Sequence, residues 1–251
     1  MNPAKNESRI IVDLVKVSKT YHPDIHAVSD VSLSVNRGEI LFLTGRSGAG
    51  KTTILHLLNR IESPDKGVVE VAGQDLGKLS QGKMQKLRRS IGVAYQDFKL
   101  LPNRSVAQNI AIAMEVTYTR PSTIRARTRD ILQRLGLEDK YHTPTSELSR
   151  GEQQRVTIAR AVAGQPQLIL TDEPTGNLDH ETTVLVMDFL HHCNKKGATI
   201  IIATHDESIY RQTDHRVIEL RAGRIVNGDP VPDDTRRHDP ATTEETDNAD
   251  T

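Results

Sequence analysis

Residues 45–53 read GRSGAGKTT and fit the pattern G-x-x-x-x-G-K-[ST], with Gly45, Gly50, Lys51 and Thr52 in its fixed places. Before them stands ILFLT at 40–44, a short, apolar, β-prone run. After them Ile54, Leu55, Leu57, Leu58 and Ile61 recur at helical spacing and stop before Ser63-Pro64. A glycine-rich loop between a strand and a helix N-terminus aims successive backbone N–H groups, and the positive end of the helix dipole, at one point. Such a point holds a polyphosphate. The cradle would run through Gly45, Arg46, Ser47, Gly48, Ala49, Gly50, Lys51, Thr52 and Thr53. Lys51 adds a mobile cation for the β- and γ-phosphates, and the Thr52 hydroxyl can ligate Mg²⁺. The chain must therefore fold as an α/β protein around this loop.

The 251 residues suffice for one large domain, or one with a lobe inserted. Lys+Arg and Asp+Glu both total 33, so no overall field favours nucleic acid, and no nucleic-acid partner is expected. The balance is uneven, because from Asp229 onward eight acids face two arginines. That tail, 229–251, and residues 1–9 are expected to be disordered. The single cysteine, Cys193, excludes an internal disulfide and suits a reducing compartment. No apolar run approaches a membrane span, and MNPAKNESR lacks the apolar core of a signal peptide, so a cytoplasmic location is expected.

Strands are expected at 10–17, 28–35, 68–71, 91–95, 168–173, 198–203, 217–220 and 224–226. Tyr21 heads a loop with Pro23 and Asp24, where it could stack on an adenine ring, although an aromatic side chain taken alone more often serves as buried apolar surface. Residues 97–164 read differently: helical spacing at 106–118, 122–136 and from Ser149 to about 164, with no strand signal. They form an expected helical lobe inserted in a core spanning 10–228. Within the lobe Phe98, Leu100 and Leu101 make an apolar loop just after Gln96. Ser149 followed by Glu152 is a capping box, and a capped helix start is also an anion site. The run LILTDE at 168–173 ends in Asp172 and Glu173. Strict alternation would put these on opposite sides of the strand, one suited to Mg²⁺ and the other to deprotonating an attacking water. A further helix, 181–195, precedes the strand that delivers His205 to the same sheet edge.

Taken together, Tyr21, GRSGAGKTT, Gln96, LSRGEQQR (148–155), LILTDEP (168–174), NLD (177–179) and His205 resemble the nucleotide-binding subunit of ABC ATPases over roughly residues 11–226. The resemblance implies a P-loop core of mixed sheet and flanking helices, with an antiparallel β subdomain and an inserted α-helical subdomain. It implies ATP and Mg²⁺ as cofactors. Tyr21 would stack adenine, Thr52 and Gln96 would contact the metal, and Asp172 would hold it through water. Glu173 would be the base, and His205 a γ-phosphate contact. Head-to-tail dimers are implied, in which Ser149 and Gly151 of one copy cover ATP on the other and Asp179 lies at the interface. The wording of 95–111 and 170–179 is most similar to the cell-division branch, whose cassettes work at the cytoplasmic face of the plasma membrane with an integral membrane subunit of the FtsX type. That subunit would dock near Phe98, Leu100 and Leu101. Cassettes for lipoprotein or macrolide export share part of the wording. One departure stands out: Arg150 replaces the first glycine of the usual LSGGQ or LSGGEQ.

Overall fold

The computed structural model describes residues 9–211 and 213–227. The expectation for the tails concerns residues outside that range, apart from Arg9, whose carbonyl accepts the Arg37 N–H at 2.8 Å. Two sheets share the chain. The first is antiparallel, in the order β2-β1-β4-β5, from β1 (Ile10–Tyr21), β2 (Ile25–Asn36), β4 (Lys66–Val71) and β5 (Gln74–Asp75). The second, in the order β10-β9-β3-β8-β7-β6, contains β3 (Ile40–Thr44), β6 (Ile91–Ala94), β7 (Leu168–Asp172), β8 (Thr199–Ala203), β9 (Arg216–Arg221) and β10 (Arg224–Asn227). β3 runs parallel to β8 and β9, and β7 parallel to β6 and β8, while β10 turns back antiparallel to β9. The mixed and antiparallel sheets fit the expected fold class.

The helices are α1 (Lys51–Leu58), α2 (Gln81–Arg88), α3 (Val106–Glu115), α4 (Pro121–Arg134), α5 (Arg150–Ala163) and α6 (His180–Lys195). Their starts follow local chemistry. Ser105 with Gln108 and Ser149 with Glu152 each close a capping box. Proline opens α4 at its first turn, and the Asp179 carboxylate caps α6. Among the described residues no strand lies between β6 and β7, and no helix is long and apolar enough to cross a membrane.

The central strands are buried on both faces, which is why they read as continuous apolar runs. Alternation divides them between two cores. Leu41, Leu43, Leu168, Leu170 and Ile201 join α1 and the antiparallel sheet in one cluster. Ile40, Phe42, Ile169, Ile200 and Ile202 join α3, α4, α5 and α6 in the other.

β1 extends beyond residue 17 and pairs Tyr21 with Ile25, so Tyr21 ends a strand instead of heading a loop. Register shifts around Val17 and a left-handed Lys16 (φ 48°) break the period of two, which hid the continuation. β5 is two residues long and left no periodic signal.

Candidate nucleotide site

The loop between β3 and α1 is shaped by close backbone approach. A Cβ on Gly50 would lie 2.2 Å from the Ala27 carbonyl oxygen, and one on Gly45 2.2 Å from that of Leu220. Both residues also have positive φ, 108° and 133°, so glycine is required twice over. These contacts bring the start of β2 and the end of β9 against the loop. Gly50 precedes α1 with no side-chain cap, which leaves first-turn N–H groups of the helix without a side-chain partner. An anion seated in the loop satisfies them. Lys51 is only 7% exposed. Its Nζ donates to the Gly45 carbonyl at 2.7 Å and stands 3.6 Å from Glu173 Oε1.

Parallel neighbours β3, β8 and β7 end at the same edge, and each delivers polar groups there. The Thr52 hydroxyl donates to Asp172 Oδ2 at 2.7 Å. Burial pushes the Asp172 carboxyl above its ordinary value, and the charge of Glu173 pushes the same way against the Thr52 hydrogen bond. Glu173 is the first residue beyond β7 and is left-handed (φ 48°), its N–H bound to the Ala203 carbonyl at 2.8 Å. Its carboxylate accepts from the Thr204 hydroxyl at 3.1 Å and lies 2.7 Å from His205 Nδ1. The two carboxylates are thus not on opposite faces of one strand, as alternation implied. The strand stops at Asp172, and the left-handed turn sends Glu173 to the same loop with separate neighbours.

A hydroxyl and a buried carboxylate at 2.7 Å are hard oxygen donors, and a dication would relieve the cost of burying that charge. These residues fit Mg²⁺. Gln96 sits exposed in the turn after β6. Tyr21 is half-buried, with Lys19 Nζ 5.4 Å above its ring.

Ser149, Gly151 and Asp179 form a second group. The Ser149 hydroxyl donates to Glu152 Oε2 at 2.8 Å; the Glu152 carboxyl, though raised by burial, is held below its usual value by hydrogen bonds from Ser149 and by Lys140. A Cβ on Gly151 would lie 3.3 Å from the Asn177 carbonyl, so the helix start abuts the loop that ends at Asp179. Among the described residues no hydrogen bond or ion pair joins this group to residues 45–50. Arg150 is exposed, in the first turn of α5, and is not among the positive-φ residues, so its position makes no use of glycine's freedom.

Two residues at the site have no role that the sequence assigns. Thr204 holds Glu173 from the end of β8. Gln154, fully buried on α5, donates to the Glu173 carbonyl at 3.3 Å. The one signal for Gln154 was an amide on the apolar face of an amphipathic helix.

The sequence profile described as ABC transporter matches residues 28–176, and the chain belongs to that family. Among solved structures it is similar to a dimeric bacterial ABC transporter cassette, at 32% identity and a TM-score of 0.82 over 86% of this chain and 97% of that one. A post-hydrolysis cassette dimer bound to ADP and Pi superposes with a TM-score of 0.80 at 31% identity, over 86% and 97% of the two chains. Among curated proteins it is similar to the cell division ATP-binding protein FtsE of Streptococcus pneumoniae, 43% identical across 86% of this chain and 94% of that protein. FtsE of Mycobacterium tuberculosis is 41% identical across 86% and 95%.

Proposed function

We propose that the chain is the ATP-hydrolysing motor subunit of an FtsE-like complex in cell division and control of cell-wall hydrolysis. It would sit peripherally at the cytoplasmic face of the plasma membrane against an integral membrane subunit of the FtsX type. The observation that carries this reading is the convergence of Lys51, Thr52, Asp172, Glu173 and His205 at one sheet edge, joined by contacts of 2.7–3.6 Å. The similarity to FtsE over nearly the whole of that relative supplies the cellular role. The working unit is one ABC ATPase domain, 10–228, with the helical lobe 97–164 inserted.

In the proposed mechanism the N–H groups of 45–53 and Lys51 cradle the β- and γ-phosphates, and Tyr21 stacks the adenine. Thr52, Asp172 and Gln96 would hold Mg²⁺, which when bound neutralises charge on the phosphate oxygens. Glu173 takes the proton of the attacking water. Its hydrogen bond to His205 keeps the carboxylate aimed, and His205 also faces the γ-phosphate. Lys51 and the backbone donors stabilise the charge that develops on the transferring group. Among the described residues no hydrogen bond or ion pair joins Ser149, Gly151 or Asp179 to the loop within one copy, and a second copy would supply them across a head-to-tail dimer.

Glu173→Gln keeps the shape but cannot accept the proton. It should bind Mg·ATP, lose about 10²- to 10⁴-fold in turnover, and accumulate as a dimer on size exclusion. A variant that stays monomeric in excess Mg·ATP would overturn the composite site or the choice of base.

A further inference from the structure

The turn that follows Gln96 is built in a way that the catalytic reading does not use. Phe98 and Lys99 are both left-handed, at φ 58° and 46°. Bulky residues hold that conformation only where their surroundings over-determine it. Here the determinant is Arg160 on α5. Its Nη2 donates to the Phe98 carbonyl and its Nη1 to the Lys99 carbonyl, both at 2.7 Å. The guanidinium is buried enough that its pKa falls from the ordinary value, and no carboxylate among the described residues pairs with it. A half-buried cation without a counter-ion still carries a desolvation cost, and the two carbonyls are what compensate it. The planar fork suits two adjacent acceptors, which a lysine ammonium cannot bridge in the same way.

The other end of the turn is tied to the phosphate helix. Asn59, which closes α1, donates from its side chain to the Tyr95 hydroxyl at 2.7 Å, and Lys99 Nζ lies 4.8 Å above the Tyr95 ring. Beyond the turn, buried Asn109 accepts the Leu101 N–H at 2.8 Å. Gln96 therefore sits on a short span fastened to α1 on one side and to α5 on the other.

We propose that Arg160 is a positioning residue for Gln96: by bridging two left-handed carbonyls it fixes the direction in which Gln96 leaves β6 and makes the loop move with α5. The inference rests on the reading of Gln96 as a contact to the bound metal. The test is a double-mutant cycle on steady-state ATP hydrolysis, with Mg·ATP as the probe, using Arg160→Lys, Gln96→Ala and the pair. Arg160→Lys should lower kcat about ten- to a hundredfold, the scale of a misplaced reacting group. KM and melting temperature should stay nearly unchanged, while hydrogen exchange at the amides of 98, 99 and 101 quickens. The pair should fall no further than the worse single variant. Losses that multiply, or full kcat in Arg160→Lys, would overturn the positioning role while leaving Gln96 in place. Full kcat in Gln96→Ala would instead remove the metal reading of Gln96, and the inference with it. Should Arg160→Lys fail to fold, Arg160→Gln, which is neutral and keeps an amide donor, takes its place in the same cycle with the same criteria.

Discussion

Asp172 carries its charge where burial resists it. A carboxyl raised in the folded state favours the protonated form there, so its ionisation removes stability as pH climbs through the raised value. That stability returns as pH falls back towards the unfolded value. At neutral pH the nucleotide-free protein bears this cost, and the proposed metal would reverse it. Asp172→Asn keeps an acceptor for Thr52 without the charge. It should raise the melting temperature of the nucleotide-free protein by about 2–4 °C and abolish the extra stabilisation that Mg·ATP gives over ATP with chelator. Differential scanning fluorimetry measures both, and a lower melting temperature without nucleotide would show that the charge is accommodated at no cost. At this scale the sequence was legible wherever a residue type is tied to one chemistry, as at Lys51 and Thr52. It was not legible where backbone geometry redirects a side chain, as the left-handed φ does at Glu173. Thr204 and Gln154 were silent because a buried hydroxyl or amide looks the same in sequence whether it fills space or holds a neighbour.

The loop after β6 shows how one short element divides its side chains. Phe98 is buried, Leu100 packs on the core shared with the helices, and Leu101 is 37% exposed. Apolar residues in a row cannot all point inward while their backbone is hydrated, yet composition does not say which one faces out. Leu101 is the one that reaches solvent, so the proposed docking would fall to it, and its backbone is held by Asn109 and Thr145. Leu101→Asp should leave Mg·ATP binding and melting temperature intact while co-purification with the membrane subunit is lost, a hot-spot cost of about 2–4 kcal/mol. Leu100→Asp should damage folding instead. A Leu101→Asp protein that still pulls down the membrane subunit would move the docking site elsewhere. Helices were the most legible elements, because capping residues and a 3.6-residue period mark them independently. β1 was cut short in the reading because its bulges erase alternation midway.

Across the whole molecule, the order of motifs along the chain was readable, but how the sheet apportions its side chains was not, because strands buried on both faces show no alternation. Only the register reveals that neighbouring residues of β3, such as Leu41 and Phe42, belong to different cores. That partition has a consequence for how sequence change accumulates. Ile54 on α1 and Ile110 on α3 are both fully buried but lie in separate clusters. Ile54→Val and Ile110→Val should each cost about 0.5–1.5 kcal/mol in chemical denaturation, and the double variant should match the sum within about 0.5 kcal/mol. A coupling well beyond that would mean that the sheet transmits strain from one side to the other. With additive costs, packing changes inside the helical cluster can accumulate without disturbing the packing around α1, and the two sides stay coupled through polar ties such as those of Arg160, Gln154 and Asn59.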